Sequence, residues 1–161
     1  MKLQQVYDSR EASEYSPVEM PLTNAEKFRR SLEAFNRGDA EGTLEHAHPD
    51  VRWEAPGVLP DTQTYRGHEG VLAMWKTMTD AFEDLRLDPT GDFAELDDVH
   101  VLVPVRFRGR GRHSGIAVDV SVYMLGTGRD LLERMEFFPS EEEALAAVAS
   151  RSAAGSSPEN P

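Results

Sequence analysis

HVLVPVRFRGRGRHSGIAVDVSVYML, residues 100–125, decides the fold. In an extended chain successive side chains alternate between two faces. Val101, Val103, Val105 and Phe107 therefore take one side, and Arg106, Arg108 and Arg110 take the other. After a turn at about Gly111–Ser114 the alternation resumes, with Ile116, Val118, Val120, Val122 and Met124 opposed to Ala117, Asp119, Ser121 and Tyr123. Two long strands joined by a glycine-rich tip make an antiparallel hairpin. Asp119 then shares the arginine face, where it can pair across the strands. Gly109, Gly111 and Gly115 allow bulges near the tip that curl the sheet and make one face concave.

The arginine run does not make a nucleic-acid box. Binding of single strands calls for aromatic side chains interleaved with the basic ones, and the one aromatic here, Phe107, falls on the opposite face. The chain of 161 residues carries a formal net charge of -12, which opposes encounter with nucleic acid or an anionic membrane. Its hydrophobic content of 39% and charged content of 29% are those of a folded globular domain. There is no cysteine, so disulfides and thiolate metal sites are excluded. No apolar run reaches the roughly 18 residues of a membrane span, and the N-terminus lacks a leader's apolar stretch. A cytoplasmic protein is expected.

Outward from the hairpin, residues 1–21 and 150–161 read as polar flexible tails around one domain, residues 22–149. Thr23 and Glu26 have capping-box spacing, and Phe28, Leu32 and Phe35 follow at helical intervals until Gly38. Asp39 starts a shorter helix to about Ala47, and Val51–Glu54 is a short strand. Val71, Trp75, Met78 and Phe82 mark a third helix from His68. Residues 85–95 are extended but broken by Pro89 and Gly91, Asp97-Asp98 turns, and Leu131–Phe138 is the last strand. Glu141–Ala149 is a terminal helix begun by Ser140. Helices first and sheet second predict an α+β fold with three N-terminal helices packed on a curved, mainly antiparallel sheet.

Glu133 is the candidate catalytic carboxylate. It alternates with Leu131, Met135 and Phe137, and if that face is interior its desolvated carboxyl can serve as general acid or base. The alternative is an outer face on which it pairs with an arginine. His46, His48, His68, His100 and His113 show no metal-pair spacing, so no metal is expected. No glycine-rich phosphate loop lies between strand and helix, so no cofactor is expected either.

Taken in order, AFNRGD, HPDVRWEAPG, YRGHEGV, the hairpin, and GRDLLERMEFFPSEEEAL resemble the SnoaL-like branch of the nuclear-transport-factor-2-like superfamily over about residues 23–149. The resemblance implies a cone of three helices wrapped by a curved sheet, a dimer, and an interior apolar pocket. Relatives include polyketide cyclases, ketosteroid isomerase, limonene-epoxide hydrolase and proteins without catalysis, so the fold leaves function open. The isomerase's oxyanion-donating tyrosine falls on Ser31, its base on Ala55, and its second acid on or beside Ser121 and Val122. The acid/base aspartate of the SnoaL-type cyclases also falls on this last pair. None of these groups is kept. Arg106 and Asp119 can imitate the epoxide hydrolase set only if the faces are inverted. The resemblance places Phe35, Trp53, Met74, Trp75, Met78, Phe82, Phe107 and Met135, with Val122, around the cone, where they pack or touch ligand. The expectation is a protein that binds a small apolar molecule, as a cofactor-independent acid/base enzyme or as a non-catalytic binding or dimerisation module. The expected homodimer forms through the open face of the sheet.

Overall fold

The computed structural model describes residues 21–55 and 64–156. The expected N-terminal tail and the last five residues of the expected C-terminal tail lie outside the described residues, except Pro21. Four helices and seven strands are present among them. In chain order these are α1 (Asn24–Asn36), α2 (Ala40–Leu44), β1 (Ala47–Glu54), β2 (Tyr65–Arg66), α3 (Gly67–Ala81), β3 (Phe82–Pro89), β4 (Ala94–Glu95), β5 (His100–Gly111), β6 (Ala117–Thr127), β7 (Leu132–Phe138) and α4 (Glu141–Ser156).

Local chemistry sets the helix ends. Thr23 accepts from the Glu26 backbone N–H and Glu26 accepts from that of Thr23, closing the capping box of α1. Gly38, at φ +79°, takes the left-handed conformation that ends the helix. Asp39 caps α2 through the Gly42 N–H at 2.9 Å, and this bond leads the causes that hold its carboxyl below the usual range. The terminal helix continues past Ala149 to Ser156, because the alanine-rich run that follows is helix-compatible and Arg151 is tied to the sheet through Glu136 at 2.6 Å.

The strands form one strongly curled, mostly antiparallel sheet in the order β2-β1-β7-β6-β5-β3, with β4 also on β5. Only β1 and β7 are parallel, so the sheet is mixed and not a simple meander. The β5–β6 ladder runs from His100–Thr127 to Arg110–Ala117, as the alternation requires. The faces follow the expected parity in β5, with Val101, Val103, Val105 and Phe107 buried under the helices and Arg106, Arg108 and Arg110 exposed.

Helices α1 and α3 cover the concave face. Phe28, Leu32 and Phe35 of α1 and Val71, Met74 and Met78 of α3 join Val51, Trp53, Leu87, Met124 and Met135 in one core cluster. Removing each such side chain from water is worth about 1.5–3 kcal/mol. A smaller cluster lies on the convex face, where Ala144 and Val148 of α4 pack on Leu102, Leu125, Tyr123 and Phe138.

Asn36 locks helix to sheet. Its side-chain N–H donates to the Leu87 carbonyl and its oxygen accepts the Leu87 N–H, both at 2.8 Å, so one amide replaces a missing neighbour strand at the β3 edge. Replacement by alanine removes both partners of a buried backbone. Asn36→Ala is expected to cost about 1–3 kcal/mol in urea unfolding. An unchanged midpoint would show that water satisfies Leu87 equally well.

Candidate functional site

The arginine run is absorbed by structure. Arg106 makes a two-point ion pair with Asp119, Nε to Oδ1 at 2.9 Å and Nη2 to Oδ2 at 2.7 Å, which lowers the Asp119 carboxyl below its ordinary range. Arg86 and Arg108 converge on Asp88; burial pushes that carboxyl up, but the two guanidinium groups hold it down. Arg110 donates to the Gly115 carbonyl at 2.9 Å, and Arg112 donates to that of Thr79 at 2.8 Å. These residues line the convex side and hairpin tip. Arg106 and Asp119 therefore do not enter the interior.

Of the residues expected to meet ligand, Phe35, Trp53, Met74, Met78, Phe107, Val122 and Met135 lie in the one buried cluster, with Phe82 and Trp75 half-buried against it. Aromatic contacts tie them in: Phe35 stacks on Trp75 at 5.2 Å, Trp53 meets Phe137 at 5.8 Å, and Phe82 stands edge-on to Phe107 at 5.9 Å. Glu133 is not brought to them. It lies next to Leu132, where the β1–β7 register shifts, and its side chain is exposed. Ser31 is buried with its hydroxyl donating to the Thr43 carbonyl at 2.7 Å. Ala55 and Val122 are buried and apolar, and Ser121 is exposed on the convex side. The positions that carry acid, base and oxyanion donor in the resembled enzymes thus hold no ionisable group. Acid/base chemistry at those positions has no proton carrier.

Two of the recesses among the described residues lie against the cluster. Between α1 and the sheet, Phe28, Ser31, His46, Val101, Gly126 and Leu132 help enclose a cavity of about 20 Å³, room for one water. The Nε2 of His46 is buried without a hydrogen bond among the described residues, 3.9 Å from a Glu45 carboxylate oxygen. A surface cleft of about 150 Å³ lies beside Phe35, Trp75, Phe82 and Arg112.

The third feature is a corner of the concave face. β7 ends at Phe138 opposite Tyr123, so beyond that rung β6 has no second neighbour strand among the described residues. Its apolar column crosses from Val122, 3% exposed, to Val120, 45% exposed, within one rung. Ala55, which follows the Glu54–Glu136 rung, and Phe137, which pairs with Met124, lie on the side of β6 next to this column. The corner is apolar, continuous with the core and reachable from solvent.

Sequence reading missed two polar assemblies. Asp97 accepts from the Val99 and His100 backbone N–H groups at 2.9 and 2.8 Å and bonds the His100 ring Nδ1 through both oxygens, at 3.0 and 2.9 Å. Burial raises the Asp97 carboxyl, yet these bonds hold it below its ordinary value. The Asp-x-x-His spacing at a turn was the available signal. Under α4, Glu136 is buried between Arg134 and Arg151, and Arg134 also reaches Glu54 at 2.9 Å. The reading of residues 150–161 as a tail hid this set. Among the described residues no three His, Asp or Glu side chains converge as a metal would need, and no helix is long and apolar enough to cross a membrane.

With this geometry in hand, the comparisons identify the class. The family model of the SnoaL-like domain matches residues 28–130, and the chain belongs to that family. Among similar solved structures is TerC co-crystallised with polyporic acid, 26% identical over 75% of this chain and 94% of that one, at a TM-score of 0.62. An NTF2-like protein from Burkholderia thailandensis E264 is 15% identical over 80% and 98% of the two chains, at 0.68. A protein with a ketosteroid isomerase-like fold from Catenulispora acidiphila DSM 44928, in complex with trimethylamine, is 15% identical over 78% and 92%, at 0.62. No curated protein matches the chain.

A lowered carboxyl contributes stability that is complete above its unfolded value, about 3.9, and is lost as pH falls through the lower folded value. With Asp39, Asp88, Asp97 and Asp119 all lowered, the urea midpoint is expected to drop below about pH 4. Asp97→Asn is expected to lower the midpoint at neutral pH and flatten this acid limb. An unaltered limb in the variant would remove Asp97 from the account.

Proposed function

We propose that this protein binds a small apolar molecule in the corner of the concave face bounded by Ala55, Phe137, Val122 and Val120, and does so without acid/base catalysis by the groups familiar in its fold. One observation carries the reading: the core's apolar column runs out to solvent at Val120, beyond the last β7 rung at Tyr123. An apolar surface continuous with the core and left open favours an apolar occupant. The match of a structure crystallised with polyporic acid supports a planar ligand class of that kind. The absence of ionisable groups at Ala55 and Val122 supports binding over turnover. Glu133 stands exposed and outside the buried cluster, so it has no part in this proposal.

The packed interior favours a second reading. Trp53, Met74, Met78 and Met135 fill the region between helices and sheet, as in a dimerisation module that has given up its ligand.

A thermal-shift series with hydroxylated and keto polycyclic compounds separates the two. A ligand at about 100 times its dissociation constant adds roughly 2.7 kcal/mol to the native state, which raises Tm by several degrees in a chain of this size. Ala55→Leu adds bulk on the β1 side of the corner and is expected to weaken binding at least tenfold, at a stability cost of about 1–3 kcal/mol. No saturable shift with any compound, or a shift untouched by Ala55→Leu, would contradict the corner as the site, and the former would select the second reading.

A further inference from the structure

One register line crosses the convex face of the sheet, at the end of the β5–β6 ladder away from the hairpin tip. His100 of β5 faces Thr127 of β6, Thr127 faces Arg134 of β7, Arg134 faces Arg52 of β1, and Arg52 faces Arg66 of β2. Directly paired residues share a face, so these side chains stand in one row, opposite to Trp53 and Met135, which are buried under the helices. Three successive members are arginines. Neighbouring strands lie about 4.7–4.9 Å apart, and like charges set directly opposite are destabilising. The row is therefore unfavourable by itself, in a chain whose net charge is -12.

Carboxylates neutralise only part of it. The next row holds Glu54 and Glu136, which face each other. Arg134 Nη2 donates to Glu54 Oε1 at 2.9 Å and lies 3.3 Å from Glu136 Oε2, and Arg151 of α4 donates to that same Glu136 oxygen at 2.6 Å. Both carboxylates are thus engaged by Arg134 and Arg151. Arg52 and Arg66 have no hydrogen bond or ion pair among the described residues, although Glu54 lies on the same face two residues from Arg52. Four guanidinium groups against two carboxylates leave two positive charges, one on the half-buried Arg52 and one on the exposed Arg66. Arg134 Nε and Arg151 Nη1 are also buried without an acceptor among the described residues, beside one carboxylate oxygen without a donor, Glu136 Oε1.

The geometry points to a site for a phosphate dianion, free or as a phosphate monoester, held between Arg52 and Arg66 and flanked by Arg134. Charge sets the class: a phosphoryl group carries about -1.5 to -2 at neutral pH, which matches the two guanidinium groups left without a carboxylate. Donor geometry agrees, because each guanidinium is a planar fork that pairs two N–H groups with two oxygens of one phosphate. The overall negative charge opposes a polyanion, but a small ion at this spot responds to its immediate surroundings, since exposed charges beyond about 8 Å are largely screened at physiological ionic strength. A bound dianion gives the facing arginines a common partner and offsets their repulsion. The apolar corner lies on the other face of the sheet, so this inference and the apolar-ligand reading stand or fall separately.

The test is a titration of the full chain with inorganic phosphate at neutral pH and constant ionic strength, followed through the arginine side-chain N–H signals. Saturable binding at one site is expected, with the signals of Arg52 and Arg66 moving most. Arg52→Gln and Arg66→Gln are each expected to weaken it at least tenfold, while Arg110→Gln, on the same face at the hairpin tip, leaves it unchanged. Arg66 is exposed, so Arg66→Gln keeps the result readable if Arg52→Gln folds poorly. Acetate, a monoanion, is expected to bind at least tenfold more weakly. Methyl phosphate separates the two sources: tighter binding than inorganic phosphate assigns the row to monoesters, and weaker binding assigns it to the free ion. Absence of saturation, equal binding of acetate, or binding untouched by both Arg52→Gln and Arg66→Gln would overturn the inference.

Discussion

The β5–β6 ladder is the constraint on which the rest of the molecule depends. It runs unbroken from His100–Thr127 to Arg110–Ala117 and gives the sheet two strands longer than any neighbour. β3 and β4 share its outer edge, and β7 covers only the Tyr123–Thr127 part of the other. Because the period of a strand is two, the pairing also fixes the faces: valine and phenylalanine under the helices, arginine outside. A one-residue slip would bury Arg106 and Arg108 and expose Val105 and Phe107, at a cost far beyond the stability of a domain this size.

The mismatch in strand length produces the surface proposed to hold a ligand. If β7 matched β6, Val120 and Val118 would be flanked on both sides and the open corner lost. Among the described residues, the shorter β7 leaves the outer part of β6 with a neighbour strand on one side only. Several polar groups are satisfied by single side chains. Asn36 stands in for a strand at Leu87, Asp97 gathers two backbone N–H groups and a ring nitrogen, and the hairpin arginines find carboxylates or carbonyls.

Much of this was legible in the sequence. Alternation in residues 100–125 gave the faces of β5, the capping box and glycine punctuation gave α1, and the apolar period gave α3 to within a residue or two, because those signals are local. Membership of the SnoaL-like family was legible in the order of its motifs. What escaped depended on distant pairing. Val120 has the same parity as Val122, yet one is exposed and the other buried, although both lie beyond the last β7 rung at Tyr123. Glu133 shares parity with Met135, but it lies at the strand's start beside a register shift that sequence cannot show. Arg151 looked like tail until Glu136 supplied its partner from across the sheet.

The most direct test of the central claim is an amide chemical-shift map of the protein titrated with an apolar compound that raises its melting temperature. The account predicts that the perturbed residues cluster on Ala55, Val120, Val122 and Phe137. Perturbations centred instead on the cleft of Phe35, Trp75 and Phe82, or on the arginine face, would contradict it.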